Sequence, residues 1–187
     1  TRWSITAVDD LISKSVIERV KDYQQISEFM LFSNEYLGNH YEILFIPSTY
    51  EYELIESWTN DMGMPALSAD YERYWLRETY ADQTHGAFYA GRLAVAEFLE
   101  KIKRQAAVLI VREISPDYNI PVGIWQLRET VRGAFDKPYD KFDDFESAVQ
   151  KICERVKVGS KWKDKSTLLK NLRTQHTISK FLTRTNN

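Results

Sequence analysis

The sequence predicts an α+β fold in which an antiparallel sheet, covered on one face by a long central helix, is followed by a helical C-terminal region. The first observation is a series of β-branched and aromatic runs, separated by turn-forming residues, at residues 26–32, 41–46 and 50–55. The second is a helical apolar face over residues 86–103, followed by a strand-like apolar run at 106–114. Strands and helices in this order are typical of the α+β class.

The N-terminal residues predict a short strand followed by a helix. Residues 2–6 alternate between polar and apolar side chains, and residues 7–22 have an apolar helical face. That face consists of Leu11, Ile12, Val16 and Val20. The three runs that come next are predicted to be antiparallel strands, and residues 50–58 also fit one face of a helix. A further helix, rich in aromatic and charged residues, is predicted at 69–80.

The central helix has the clearest signal in the sequence. Its apolar residues form one continuous arc of roughly 120 to 140° on a helical wheel. The arc consists of Ala87, Phe88, Gly91, Ala94, Val95, Phe98, Leu99 and Ile102. Because glycine inside a helix costs about 1 kcal/mol relative to alanine, Gly91 predicts that another element approaches closely there.

The second half of the chain predicts a hairpin and more helices. Residues 106–114 read as a buried strand, 115–121 as a turn, and 122–127 as a partner strand. This second strand is predicted to run into a short helix that ends at Arg132. Helical spacing returns at residues 166–173, which predict the last helix.

One helix in this region is marked by its first turn. Asp143, followed three residues later by Glu146, resembles a capping box, and the helix is predicted to end at Gly159. Its apolar face consists of Phe145, Ala148, Val149, Ile152, Cys153 and Val156. Because Cys153 lies on that face, it is predicted to be a buried structural residue rather than a nucleophile.

The net charge of −2 conceals a strong asymmetry. Residues 151–187 contain ten Lys and Arg against two acidic residues, whereas residues 1–150 contain 15 against 25. The sequence therefore predicts an α+β body at 1–160 that is largely acidic, and a basic C-terminal helix and tail at 161–187. Such a tail would attract phosphates without sequence preference, so DNA is one predicted partner.

Composition excludes several classes of protein. A chain with 43% apolar and 13% aromatic residues can form a core, and 7 Gly and 5 Pro are too few for a collagen-like or low-complexity chain. The single Cys153 excludes an intramolecular disulfide and indicates a reducing compartment. Since no apolar run is long enough to span a membrane and no signal pattern precedes the first helix, a cytoplasmic protein with no membrane contact is predicted.

The sequence contains no standard catalytic or metal-binding signature. His40, His85 and His176 are far apart and have no cysteine or acidic partner at ligand spacing, so neither a metal nor another cofactor is predicted in this chain. There is no phosphate-binding glycine loop, nucleophile elbow or zinc-protease motif. Catalytic residues are therefore not assigned.

Two weaker groups of residues predict a ligand or DNA site. Arg2, Ser4, Thr6, Asp9 and Asp10 surround a predicted strand end and helix start, where carboxylates and hydroxyls could hold Mg²⁺ or accept hydrogen bonds, although a capped helix would explain them equally. Several basic residues of the central helix and hairpin could face nucleic acid, although neighbouring glutamates would also make them ordinary surface ion pairs. The residues selected as the candidate site are Arg2, Ser4, Asp9, Asp10, Arg92, Arg112 and Arg128.

A short motif near the C-terminus predicts a protein-binding segment. Gln175, Ile178, Phe181 and Leu182 follow the spacing Gln-x-x-aliphatic-x-x-aromatic-hydrophobic. A single 3₁₀ turn would place the three apolar side chains on one side. The pattern resembles the motif by which repair and replication proteins dock on the sliding clamp, PCNA. Leu182 departs from the commonest form, which ends in two aromatics, and is expected to weaken the affinity.

Three separated parts of the chain resemble the C-terminal half of the archaeal Nre proteins: residues 2–10, residues 86–95 continuing to 104–109, and residues 121–129. The resemblance implies a role in archaeal DNA damage repair and a C-terminal clamp-binding motif. It also implies a preceding region with a cysteine-bearing, metal-binding motif, so the chain is expected to be a fragment that lacks this region.

Two functional hypotheses follow from the sequence. In the first, the chain is a DNA repair protein that docks on the sliding clamp through its C-terminal motif. In the second, it is an enzyme that processes nucleic acid or nucleotides, with a site around residues 2–10 and the arginines of the central helix and hairpin. A third interpretation is a structural interaction domain whose tail packs on the body, which would bury Ile178 and Phe181.

Overall fold

The computed structural model describes residues 2–59, 65–116 and 123–174. In chain order, the elements are α1 (Arg2–Val20), β1 (Phe29–Tyr36), β2 (Asn39–Ile46), β3 (Glu51–Thr59), β4 (Pro65–Glu72), α2 (Gly86–Ile102), β5 (Ala107–Ile114), α3 (Trp125–Ala134), β6 (Asp140–Phe142), α4 (Phe145–Arg155), a 3₁₀ turn (Lys161–Asp164) and α5 (residues 167–174). The predicted α+β class is confirmed. None of the helices in these described ranges is long and apolar enough to cross a membrane.

The six described strands form one mixed sheet in the order β4-β3-β5-β2-β1-β6. Four of the neighbouring pairs are antiparallel, as predicted, but β3 and β5 are parallel. Helix α2 connects the β3–β4 hairpin to β5, which leaves β5 running in the same direction as β3. Parallel neighbours require such a crossover connection, usually a helix, so the wholly antiparallel sheet of the prediction is corrected to a mixed one.

Both faces of the sheet are covered, whereas the sequence predicted cover on one face. Helices α1, α2 and α3 contribute to a core on one face, which includes Ile17, Phe88 and Val131. Helix α4, the 3₁₀ turn and α5 contribute to a second core, which includes Trp162 and Leu168. All eight residues of β5 are buried, because this strand lies inside the sheet between the two layers.

Three predicted segments have a different structure. Residues 2–6 belong to α1 instead of forming a strand, residues 69–80 contain the end of β4 and a loop instead of a helix, and residues 124–127 turn into α3 instead of forming a strand. The runs at 2–6 and 124–127 are too short to separate the two periods, whereas residues 69–80 combine the end of a strand with a loop, to which neither period applies. Leu127 and Val131 illustrate this, since their spacing of four places both on the buried face of α3.

The first turn of α4 also differs from the prediction by one residue. The N-cap is Asp144, whose carboxylate accepts a hydrogen bond from the Ser147 backbone N–H at 2.9 Å. The helix ends at Arg155, and Gly159 lies in the following turn with a φ of 61°. Cys153 packs against the second core on the predicted face but is only partly buried, and this burial raises the pKa of its thiol.

The close approach predicted at Gly91 is confirmed. A Cβ atom at this position would lie 2.5 Å from the hydroxyl oxygen of Tyr52, which donates a hydrogen bond to the Phe88 carbonyl at 3.3 Å. The side chains of Tyr52 and Phe88 are both fully buried, so the Tyr52 ring has little room to move away from a new Cβ atom. Helix α2 therefore depends on a glycine where it crosses β3.

Gly91→Ala is expected to lower the free energy of unfolding by about 1 to 3 kcal/mol, because it overpacks this contact. The measurement is urea denaturation of the 187-residue chain. Adding Tyr52→Phe removes the clashing oxygen, so the double variant should lose less than the sum of the two single variants.

Gly133→Ala is the matched control, since a Cβ at that position would meet only the Asn34 amide nitrogen, at 3.4 Å. Alanine has the higher helix propensity, so this variant should be neutral or up to about 1 kcal/mol more stable. Equal losses in the Gly91→Ala and Gly133→Ala variants would contradict the packing explanation.

Candidate functional site

The face of the sheet that is covered by α1, α2 and α3 brings together four of the seven residues selected from the sequence. Asp9 and Asp10 on α1, Arg92 on α2 and Arg128 on α3 meet where the three helices pack. Together with Glu72 at the end of β4, these four residues are called the interhelical ion network here. Of the other three, Arg112 lies on β5, Ser4 is exposed on α1, and Arg2 begins α1 with its side chain outside the described part of the structure.

Arg92 is the centre of the interhelical ion network and is fully buried. Its Nη1 donates to Glu72 Oε2 at 2.9 Å, its Nε donates to Ser13 Oγ at 3.0 Å, and its Nη2 donates to the Asp10 carboxylate. Glu72 also accepts a hydrogen bond of 2.8 Å from the Tyr50 hydroxyl. Burial lowers the pKa of Arg92, but the facing carboxylates outweigh this effect and the guanidinium stays charged.

Arg128 forms a second pair with Asp9. Its Nη1 donates to Asp9 Oδ1 at 2.5 Å, and this contact ties α3 to α1. Burial raises the pKa of the Asp9 carboxyl, while the nearby Arg128 charge opposes the change. Within the described ranges, the buried Asp9 Oδ2 and Arg128 Nε atoms have no hydrogen-bond partner. The hydrogen-bonding capacity of the Asp9–Arg128 pair is therefore only partly used.

Arg112 belongs to a separate buried group at the end of β5. Its Nε and Nη2 donate to Asn39 Oδ1 at 3.0 and 2.7 Å, and its Nη1 donates to Glu56 Oε1 at 2.5 Å. Burial raises the pKa of the Glu56 carboxyl, and the Arg112 charge opposes it. This group joins β2, β3 and β5 at a position where three strands would otherwise bury unpaired polar groups.

The guanidinium groups of Arg92, Arg112 and Arg128 are thus bound to carboxylate, amide and hydroxyl groups of the protein itself. A phosphate ligand would have to replace these partners, which are held by helix and strand packing. No group of three or more acidic, histidine or cysteine side chains in the described ranges has the arrangement of a metal site. A ligand role for the seven residues remains a prediction. For Asp9, Asp10, Arg92, Arg112 and Arg128, the described contacts are structural ones within the protein.

The sequence did not single out Asp70, which organises the loop between β4 and α2. Its Oδ1 accepts from Arg77 Nη1 at 2.8 Å, and its Oδ2 accepts from the Thr84 backbone and hydroxyl at 2.7 and 2.9 Å. The loop ends at the exposed His85, whose φ of 52° and ψ of −133° are rare for a residue other than glycine. Since this stretch was predicted as a helix, the alternation that buries Asp70 and Glu72 on one side of β4 was not recognised.

Two further carboxylates on the opposite face of the sheet were also not recognised. Glu53 accepts hydrogen bonds from the Ser166 hydroxyl and from the Thr167 and Leu168 backbone N–H groups, which caps α5. Glu113 accepts from the backbone N–H groups that begin the segment after α4. Burial raises the pKa of the Glu53 carboxyl, and its three donors oppose the rise. Buried acids within apolar strands are the signal that could have identified both.

One cavity of about 320 Å³ lies beside Glu113. Its lining includes Glu35 and His40 from the β1–β2 hairpin, Arg155 at the end of α4 and Lys157 shortly after it. None of the seven residues selected from the sequence is among the described residues that line this cavity. The predicted clamp motif, Gln175 to Leu182, falls outside the described residues, as does the predicted burial of Ile178 and Phe181.

Comparison with known proteins gives a consistent family match. A family model described as "Archaeal Nre, C-terminal" matches residues 72–181, and one described as "Archaeal Nre, N-terminal" matches residues 1–62. The match therefore includes both the C-terminal model, as the resemblance indicated, and the N-terminal one. No solved structure matches the chain.

Three curated relatives are named as DNA repair proteins. The chain is 37% identical over 97% of its length to DNA repair protein NreB of Archaeoglobus fulgidus, 38% over 93% to DNA repair protein NreA of Haloferax volcanii, and 34% over 83% to DNA repair protein NreA of Archaeoglobus fulgidus. These alignments cover 48%, 43% and 41% of the relatives. The chain thus spans a little less than half the length of the curated proteins it matches.

Proposed function

Because this chain belongs to the archaeal Nre family, we propose that it acts in DNA repair and docks on the sliding clamp PCNA through Gln175, Ile178, Phe181 and Leu182. The repair role is supported by the names of three relatives that align with 83% to 97% of the chain. The docking role is supported by the motif itself. The C-terminal family match extends to residue 181 and includes Gln175, Ile178 and Phe181.

The motif has the composition of a small anchor. Ile178, Phe181 and Leu182 stand among polar residues within eight positions of the chain, and Gln175 adds an amide that can donate and accept hydrogen bonds. An apolar side chain in a small interface contributes most when it fills a pocket at the centre. Phe181 is the largest of the three, so it is the main anchor of the proposed interface.

The described part of the chain reaches the residue before the motif. Helix α5 is described as far as residue 174, directly before Gln175 in the chain, and its Leu168, Leu169 and Leu172 side chains are buried against the sheet. Glu53 caps the first turn of α5, and Arg173 in its last turn pairs with Glu146 on α4 at 3.2 Å. A clamp bound to the motif would therefore be held close to the folded body.

Phe181→Ala is expected to weaken binding of the 187-residue chain to an archaeal clamp by about 2 kcal/mol or more, which is about thirtyfold, because the central apolar anchor is lost. Titration calorimetry with the purified clamp measures the change. Thr177→Ala is the matched control, since this position lies inside the motif but is not one of its contact positions.

A double variant, Ile178→Ala with Phe181→Ala, tests the docking proposal directly. Binding that is undiminished in this double variant would refute docking through the motif. A loss in the Thr177→Ala control as large as that in Phe181→Ala would also count against it, since the effect would then not follow the predicted spacing.

A further inference from the structure

The positive charge of the C-terminal region lies mostly in the part that the structure describes. Residues 151–174, which the structure describes, contain eight Lys and Arg against two acidic residues, whereas residues 175–187 contain two basic residues. Within this described part, Lys157, Lys161, Lys163 and Lys165 fall within nine positions. Residues 157–165 are called the lysine loop here.

The lysine loop is held on the sheet at its start by Glu113. The two carboxylate oxygens of this buried β5 residue accept hydrogen bonds from the backbone N–H groups of Lys157 at 3.0 Å and Val158 at 2.8 Å. Charge-assisted hydrogen bonds of this kind are stronger than neutral ones. The backbone at Lys157 is therefore fixed, while its side chain is exposed.

Trp162 holds the middle of the lysine loop. Its side chain is fully buried in the second core, at the centre of the 3₁₀ turn that carries Lys161 and Lys163. The turn is closed by hydrogen bonds from the Lys163 N–H to the Ser160 carbonyl and from the Lys165 N–H to the Trp162 carbonyl, at 3.1 and 3.0 Å. The buried Trp162 side chain anchors the backbone that carries Lys161 and Lys163, so these two lysines extend from fixed positions on the surface.

Glu53 holds the end of the lysine loop through the Ser166 hydroxyl and the first N–H groups of α5. The loop is thus fixed at both ends by buried carboxylates on the neighbouring strands β3 and β5, and in the middle by Trp162. Preorganised groups lose less conformational entropy when they bind a ligand.

The four lysines of the loop are not neutralised by the protein. Among the described residues, none of their ammonium groups lies within 4.0 Å of a carboxylate, whereas Lys151 pairs with Glu154 and Arg173 with Glu146. Lys161 and Lys165 are exposed like Lys157, and Lys163 is half-buried. Asp164 is the single acidic residue of the loop.

We propose that the lysine loop is the surface through which this chain binds the phosphate backbone of duplex DNA. Ammonium groups suit this ligand because each acts as a point charge that releases counterions from the DNA. Residues 1–150 favour an orientation in which the lysine loop faces the DNA. They carry 15 basic against 25 acidic residues, so their net negative charge repels the phosphate backbone. The proposal rests on the proposed repair function and names the DNA-contacting surface for it.

The test is fluorescence anisotropy of a short labelled DNA duplex with the 187-residue chain at several salt concentrations. The variant combines Lys157→Gln, Lys161→Gln, Lys163→Gln and Lys165→Gln. The slope of log K against log salt concentration is expected to become shallower by about 3.6, which is about 0.9 for each lysine removed. Thermal denaturation of the same variant is expected to match that of the unmodified chain, since these side chains have no carboxylate partner to lose.

A matched variant removes four charges elsewhere, through Lys101→Gln, Lys103→Gln, Arg104→Gln and Lys137→Gln, and should leave the slope nearly unchanged. An equal loss in both variants would overturn the proposal, because net charge alone would then explain binding. The proposal also fails if the slope depends on Lys180→Gln with Arg184→Gln and not on the loop, or if the unmodified chain does not bind the duplex.

The clamp titration keeps this test separate from that of the proposed docking function. The lysine-loop variant should bind the clamp as tightly as the unmodified chain, and Phe181→Ala should leave DNA binding unchanged. Failure of DNA binding with intact clamp binding would refute only the lysine-loop proposal, and the reverse result would refute only docking.

Discussion

Replacing Arg92 by methionine is expected to lower the free energy of unfolding by about 3 to 5 kcal/mol, because it leaves a buried carboxylate without its partner. The Glu72 side chain is fully buried, and Arg92 is its only guanidinium partner within the described ranges. The Asp10 carboxylate and the Ser13 hydroxyl also lose a hydrogen-bond donor in this variant. Methionine fills a similar volume, so the loss reports the charges rather than a cavity. Chemical denaturation at neutral pH measures it.

Two companion variants separate a buried-charge effect from a general loss of an arginine. Arg132→Met removes a half-exposed arginine that pairs with Glu97 at 2.7 Å, and it should cost no more than about 1 kcal/mol. Glu72→Gln added to Arg92→Met removes the unpaired charge and should recover part of the stability. If Arg132→Met costs as much as Arg92→Met, the interhelical ion network has no special role in stability.

Trp162→Ala is expected to be comparably destabilising, by about 3 to 5 kcal/mol, because it empties a fully buried site in the second core. The side chain packs in the same cluster as Leu168, Leu169 and Val158, which link α5 and the lysine loop to the sheet. The measurement is again denaturant unfolding. The same substitution is expected to weaken DNA binding, since the loop loses its central anchor.

Trp162→Phe is the informative control for this prediction. The indole interacts with the Cys153 thiol, and its buried N–H has no hydrogen-bond partner of normal geometry within the described ranges. Phenylalanine therefore gives up no strong hydrogen bond and keeps most of the apolar contact, so it should cost clearly less than alanine. If Trp162→Phe lowers the free energy of unfolding as much as Trp162→Ala, apolar packing of this side chain does not explain the stability of the region.

Local sequence patterns correctly predicted several elements whose apolar pattern was clear. Helix α2 was identified from its apolar arc, and Gly91 was correctly identified as the place of close approach. The strands from residues 29 to 59 and the buried strand β5 were recognised from their composition. The predicted strands at residues 2–6, which lie in α1, and at 122–127, of which 125–127 lie in α3, were wrong, because five or six residues can fit a strand and a helix equally well.

The parts that could not be predicted depend on contacts between distant residues. Nothing near β3 or β5 shows that they are parallel partners, since that depends on the path of α2 across the sheet. Arg92 and Arg128 were selected for their charge, but their carboxylate partners come from other elements, up to 119 residues away in the chain. The positive charge of residues 151–187 follows from composition, whereas the attachment of residues 157–167 to the sheet requires Glu53 and Glu113, which lie far upstream.

The position of β5 also determines the order in which the sheet can assemble. The hairpins β1–β2 and β3–β4 form from neighbouring residues, yet they do not touch each other in the sheet, because β5 lies between β2 and β3. Each hairpin therefore has an edge, at β2 and at β3, that stays unpaired until β5 is in place. Since the family's N-terminal match ends at residue 62 and its C-terminal match begins at residue 72, neither region completes this sheet alone. The two family regions therefore contribute strands to one and the same sheet.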